Sequence, residues 1–252
     1  MSSASGQSFR VTNWKVLNID ENTGKIDLVA SAPTSGTVYL QGENGYNNAV
    51  KLLNDACSNL YGDESKGITA RSINMEDIEG KMDMSSSVVT SAKTSDGYGT
   101  EKGPYTTEYS WYPKIYADEE NSKIGDGVRR TDGLGLSKQE SFVTGKTQGD
   151  SITPIHTYYS LTKSDFTTAL GANSSIIPNG SDKNYWVASR CIGADVSKCS
   201  FRVRDVNDGS LYYFLMFYSL GGTNGGSKPV LPVVSLSSKL LSGGTSTEWK
   251  VE

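Results

Sequence analysis

The chain has one histidine, His156, three cysteines, Cys57, Cys191 and Cys199, and only seven prolines in 252 residues. So few sulfur and imidazole ligands make no recognisable zinc site, and three cysteines are not a disulfide framework. Cys191 and Cys199 can pair only if two adjacent strands bring them together; otherwise each is a small hydrophobe. A Ser–His–Asp or Cys–His arrangement would have to use His156, which lies in "TPIHTYYS" with no nucleophile elbow beside it. His156 is therefore read as a hydrogen-bonded structural or surface residue. Positive charge is not in excess: 24 Lys and Arg against 28 Asp and Glu give a net charge of −4, which argues against nucleic acid as a partner. No apolar run approaches the ~18 residues of a membrane span. "DENTGKIDL" lacks the closing acid of an EF-hand loop, and "DGLGLS" lacks the strand-then-helix setting of a phosphate loop. Neither a metal nor a cofactor is expected. The opening "MSSASGQSFRV" has no basic stretch followed by an apolar one, so it is no secretory signal. It has the look of a cloning-derived start, which leaves room for a natural amino-terminal segment ahead of it.

What the chain does have is 36% hydrophobic residues and 27 glycines, the make-up of a soluble, turn-rich globular protein. In "NWKVLNIDENTGKIDLVAS" two short apolar runs flank the turn chemistry of Asp20 to Gly24, which predicts a β-hairpin with Trp14 in its packing. In "GYNNAVKLLNDACSNLYGD", Ala49, Val50, Leu53, Ala56, Cys57 and Leu60 recur at helical spacing, predicting an amphipathic helix of about four turns. Gly62 stands where a helix end favours a residue without Cβ. "ARSINMEDIEGKM" predicts a shorter helix from Asn74, with Glu76, Asp77 and Glu79 read as a solvated acidic face. From Met84 to about Asp150 the pattern gives way to Gly, Ser, Thr and Asp, and residues 84–150 are read as a loop-rich insertion. "SLTKSDFTTALG" suggests a short helix. "NYWVASR", "SFRVRDV", "SLYYFLMFYS" and "KPVLPVVSL" read as four strands, the last fully apolar and so central. The fold class expected is α+β.

The framework motifs carry a resemblance. "YWVASR", "CSFRVRDVNDG" and "KPVLPVVSL", with the opening hairpin, the helix and "ARSINMEDIE", resemble the C-type-lectin-fold variable proteins of gut bacteria and their prophages. The likeness covers about 14–80 and 184–236. One departure is Leu231 where the family's closing strand has an arginine, with Pro232 in the matching place, which removes any salt bridge that arginine would make. The resemblance implies a single C-type-lectin-like domain over 1–252. It implies a non-enzymatic, ligand-binding protein in which 191–222 is a hypervariable surface diversified by a retroelement. The sugar signatures of calcium-dependent lectins are absent, and Cys191 and Cys199 do not match the catalytic pair of the related formylglycine-generating enzymes. A protein or cell-surface ligand is implied, with a homo-oligomer as a further possibility. The implied setting is a phage particle or a bacterial cell surface.

Within 191–222 the residues suit display. Tyrosine gives a rigid, amphipathic contact at low entropic cost, while Ser, Gly and Asn adapt their hydrogen bonding. Strict alternation puts Leu211, Tyr213, Leu215 and Phe217 on one face and Tyr212, Phe214, Met216 and Tyr218 on the other. Aromatics on both faces predict an exposed contact patch rather than a sheet buried on both sides. Adenine-directed mutagenesis of AAC or AAT codons can yield Asn, Ser, Asp, Gly, Tyr, Ala, Phe, Leu and others but not Lys, Glu, Gln, Met or Trp, so Lys198 and Met216 would be template-fixed. The candidate ligand-binding residues are Gly193, Ala194, Asp195, Lys198, Arg202, Asp205, Asn207, Asp208, Ser210, Tyr212, Tyr213, Phe217 and Tyr218. Trp14, Trp186, Arg190, Arg204 and the 229–236 strand are read as framework, the two arginines pairing with carboxylates or backbone carbonyls. Two rival readings differ in class: a structural virion or surface protein that buries 212–218 against a partner, and a carbohydrate-active enzyme with an acidic pair.

Overall fold

The computed structural model of the protein describes residues 13–99, 112–113, 136–137, 156, 158–194, 199–218, 222–238, 241–242 and 248–251. Strands β1 (Trp14–Asp20) and β2 (Lys25–Ala30) form the expected hairpin. Its turn follows from Asp20, whose carboxylate accepts from the Asn22 and Thr23 amides and the Thr23 hydroxyl, and from Gly24 at φ +66°. β3 (Thr37–Gln41) runs straight into α1 (Gly42–Tyr61), followed by β4 (Thr69–Ser72), α2 (Met75–Glu79) and α3 (Ser87–Asp96). Two-residue strands β5 (Tyr112–Pro113) and β6 (Leu136–Ser137) pair with each other, and α4 (Lys163–Leu170) follows. The remainder is strand: β7 (Tyr185–Ala194), β8 (Cys199–Asn207), β9 (Ser210–Tyr218), β10 (Gly225–Pro229), β11 (Pro232–Ser237), β12 (Leu241–Ser242) and β13 (Glu248–Val251). The architecture is α+β with antiparallel sheets.

The largest sheet has the order β12-β13-β1-β2-β11-β4, so strands from both ends of the chain lie side by side in it. A separate three-stranded sheet has the order β7-β8-β9, and β3 pairs with β10. The buried stripe of α1, formed by Tyr46, Ala49, Val50, Leu53 and Cys57, packs on one face of the three-stranded sheet through Trp186, Ala188, Phe201, Val203, Met216 and Phe217. A second cluster joins the six-stranded sheet to Ile78, Val89, Phe166 and Leu170 of the shorter helices. Burying side chains of this size contributes about 1.5–3 kcal/mol apiece, so these two clusters dominate the stability of the fold.

Several expectations need correction. α1 is longer than the four turns predicted, beginning at Gly42, and Leu60 leaves the stripe at 37% exposure. Gly62 does end α1, but in an extended rather than a left-handed conformation: a Cβ there would lie 2.7 Å from the Ser58 carbonyl oxygen. The acidic face of α2 is not solvated throughout. Asp77 closes a capping box with Asn74 and pairs with Arg71 at 2.5 Å and 2.8 Å, and Glu79 accepts from the Tyr159 hydroxyl at 2.9 Å. Residues 87–96 form α3 rather than loop; Gly97, at φ +67°, caps it, but only Val89 of the helix is fully buried, too weak a stripe to read as a period. The rest of the 84–150 expectation lies outside the described residues, β5 and β6 apart. "KPVLPVVSL" is two strands, not one: the chain changes sheets at Val230–Leu231, between Pro229 and Pro232, whose rings supply no N–H to a ladder. Its second half, β11, is indeed interior, between β2 and β4.

Candidate functional site

Cross-strand register sorts the β7-β8-β9 sheet into two faces. Phe201 lies opposite Phe217 and Val203 opposite Phe214, and these side chains turn toward α1. Cys191 lies opposite Arg202 and Arg204 opposite Tyr213, and these share the other face. Strict alternation fails in β9 because the ladder shifts between Phe201 and Arg202, leaving Met216 as an extra residue. Phe217 is thereby moved onto the α1 face, where it stacks on Phe201 with ring centroids 4.5 Å apart.

On the second face a ladder of rings and cations runs from the surface inward. Tyr212, 44% exposed and paired in register with Asp205 of the other face, reaches round to stack on Tyr213 at 4.5 Å, and Tyr213 meets Tyr158 edge-on at 4.7 Å. The Arg202 guanidinium sits 4.1 Å from the Tyr213 ring centroid and 4.4 Å from that of Tyr158. Deeper in, Arg204 donates to the Tyr159 carbonyl oxygen at 2.8 Å and lies 5.7 Å from the Tyr159 ring, which Lys93 also approaches at 5.1 Å. Burial pushes the Tyr213 and Tyr159 hydroxyls well above the ordinary phenol range; the nearby Glu79 adds to the effect on Tyr159. His156 stacks on Tyr158, and its Nδ1–H donates to the Asp96 carbonyl oxygen at 2.8 Å, the structural role expected of it.

The candidate residues separate by position. Tyr212, Asn207 and Asp208 are exposed, while Arg202, Ser210, Tyr213 and Tyr218 are half-buried. Three candidates are buried, which corrects their assignment to the contact surface. Gly193 has no room to vary, since a Cβ there would meet the Tyr158 ring at 2.9 Å. Asp205, 2% exposed, takes a 2.6 Å hydrogen bond from Lys228, which also donates to Asn207 at 2.9 Å. Phe217 is 2% exposed in the α1 interface. Ala194 ends β7 opposite Cys199. Asp195 and Lys198 lie outside the described residues. Burial also prevails over most of β9, with Leu211 and Met216 enclosed and Phe214 edge-on to Trp186 at 5.5 Å, so the exposed patch expected there contracts to Tyr212 and the β8–β9 turn.

The framework residues are buried. Trp186 donates from Nε1 to the Val38 carbonyl oxygen at 2.8 Å, Trp14 packs edge-on against Tyr61, and Arg190 lies over the Tyr46 ring at 4.8 Å. Cys191 and Cys199 stand on adjacent strands but three positions out of register, and Cys191 is free. Sequence reasoning missed Tyr158 and Lys228. The doubled tyrosine of "TPIHTYYS" was the only signal for the first; nothing local marks the second, whose partners are 21 and 23 residues away.

Among the described residues no group of three or more His, Cys, Asp or Glu side chains is placed to hold a metal ion, and no helix is long and apolar enough to cross a membrane. No protein-family model, curated protein or solved structure matches the chain.

Proposed function

We propose that the protein is a non-enzymatic ligand-binding domain of C-type-lectin type, phage- or prophage-encoded and diversified by a retroelement, whose contact surface is built on β8 and β9. The observation that carries this reading is the exposed Tyr212 seated on the Tyr213–Tyr158–Arg202 ladder, a rigid aromatic anchor beside the polar turn at Asn207 and Asp208. Anchors held in one rotamer by packing lose little entropy on binding, and adaptable polar neighbours supply specificity. The C-type-lectin assignment draws support from the opening hairpin, the long helix after it and the interior placement of β11, each on a segment that carries the resemblance. The target is a protein or other cell-surface ligand, met from a particle or a cell surface.

The reading is tested by applying fluorescently labelled protein to a panel of intact gut-bacterial isolates. Tyr212→Ala should lower stability by no more than about 1.5 kcal/mol, the worth of its stack on Tyr213, while reducing cell labelling at least tenfold. Labelling unchanged in Tyr212→Ala would take β9 out of the contact surface. Glycan turnover lost on replacing a single carboxylate would favour the enzyme instead. Sequencing the encoding locus tests diversification: AAC or AAT codons in the matching template at Asn207 and Tyr212, with a reverse-transcriptase gene nearby, are expected, and the absence of both overturns it.

A further inference from the structure

Arg202 and Arg204 alternate with Val203 along β8, so their side chains leave one face with their Cβ atoms ~7 Å apart. The Nε and Nη1 groups of both guanidiniums are buried and have no hydrogen-bond partner, which leaves four N–H-bearing nitrogens unanswered beside one another. Arg204 is 2% exposed; it donates from Nη2 to the Tyr159 carbonyl oxygen and also interacts with the Cys191 thiol. Among the described residues no carboxylate hydrogen-bonds to either guanidinium, although Asp205 feels the charge of Arg204. Asp205, the nearest in sequence, points to the opposite face and is held by Lys228; Glu79 is engaged with the Tyr159 hydroxyl, and Asp96 accepts from the Ser160 amide. The rings around the pair offer π-faces, which balance part of the charge, and Tyr158 also engages Arg202 through its side chain, but neither meets the Nε and Nη1 groups. Cys191, opposite Arg202, is kept a neutral thiol by its burial. Two like charges buried together with unmet donors are costly, and the cost is relieved when an anion takes the donors.

We propose that Arg202 and Arg204 form an anion-binding site on the inner face of β8, taking one small anion of carboxylate or halide size. Paired guanidinium groups suit such an anion because their planar N–H groups converge on it from two directions. Tyr213 and Tyr158 flank Arg202, which is itself only half-buried. The anion has two possible sources: a free ion from solution, or a carboxylate carried by the ligand. The second source rests on the contact-surface reading above, and the first does not.

The test is thermal unfolding of the purified protein in sodium acetate, chloride or phosphate. Each salt is titrated over the same ionic strengths in the wild type and in Arg202→Met, so that the variant supplies the control for ionic strength. The wild type should gain a saturable rise in melting temperature of several degrees from at least one of the three anions. The rise should vanish in Arg202→Met and in Arg204→Met. Because Arg204→Met sits in the core and risks failing to fold, the wild-type titration and Arg202→Met stand as independent measurements. No saturable rise in wild type, or an equal rise in Arg202→Met, overturns the site whatever the cell-labelling experiment returns. With the site established, competition of cell labelling by the same anion at its saturating concentration assigns the ligand's carboxylate as the natural occupant; labelling indifferent to the anion assigns a free ion.

Discussion

Asp205 and Tyr212 lie opposite each other on β8 and β9, yet one is 2% and the other 44% exposed; Lys228 covers the aspartate. Burial raises the Asp205 carboxyl above its ordinary 3.8, against the lowering influence of Lys228 and Arg204. A raised value means the folded state holds this proton more tightly than the unfolded chain does. The contribution of the group to stability therefore declines as pH rises from about 3.8 through the folded value and is level beyond it. Urea melts at a series of pH values should accordingly show the wild type losing stability relative to Asp205→Asn across that window, with no further change near neutrality. A relative gain there would mean that the ion pair with Lys228 outweighs desolvation. None of this was legible in "RVRDVNDG", where Asp205 reads like any turn-proximal acid, since its partner arrives from β10.

At the scale of elements, the β8–β9 turn is the most tightly determined piece of the candidate surface. Asp208 at φ 47° and Gly209 at φ 74° make a two-residue turn with both central residues left-handed, the geometry that suits the right-handed twist of a hairpin. Added to Gly209, a Cβ would lie 2.4 Å and 2.6 Å from the carbonyl oxygens of Asn179 and Gly180. Gly209→Ala is expected to destabilise by more than ~1 kcal/mol in urea unfolding, since strain and collision add. A neutral effect would show that the turn can leave its seat. Within 191–222, Gly193, Asp205, Gly209 and Phe217 are bound by packing, while Asn207 and Tyr212 face solvent. Elements with strong local signals were readable. Asn74 with Asp77 marks the start of α2, and the stripe through Leu53 and Cys57 marks α1. α3 was not, because Ser and Thr carry its outer faces and Val89 alone its buried one.

Across the whole molecule, α1 lies against the three-stranded sheet on one side and β4 and β3 on the other, while β2 and β11 are interior strands of the six-stranded sheet. Native-state hydrogen exchange should find the slowest amides in that interior, at Leu28, Val29, Val233 and Val234, with Tyr212 to Leu215 of the edge strand β9 exchanging faster. Equal protection in the two sets would mean that β9 opens only with global unfolding. The sequence alone determined the opening hairpin, α1, α2, α4 and most of the later strands. Those follow from spacing, turn residues and caps, which act over a few positions. Only the tertiary structure decided that β9 bulges at Met216, that "KPVLPVVSL" divides between two sheets, and that, among the described residues, no carboxylate hydrogen-bonds to Arg202 or Arg204. Each depends on which distant segment comes to lie against the residue, and the period of a strand says which side a residue takes without saying what is waiting there.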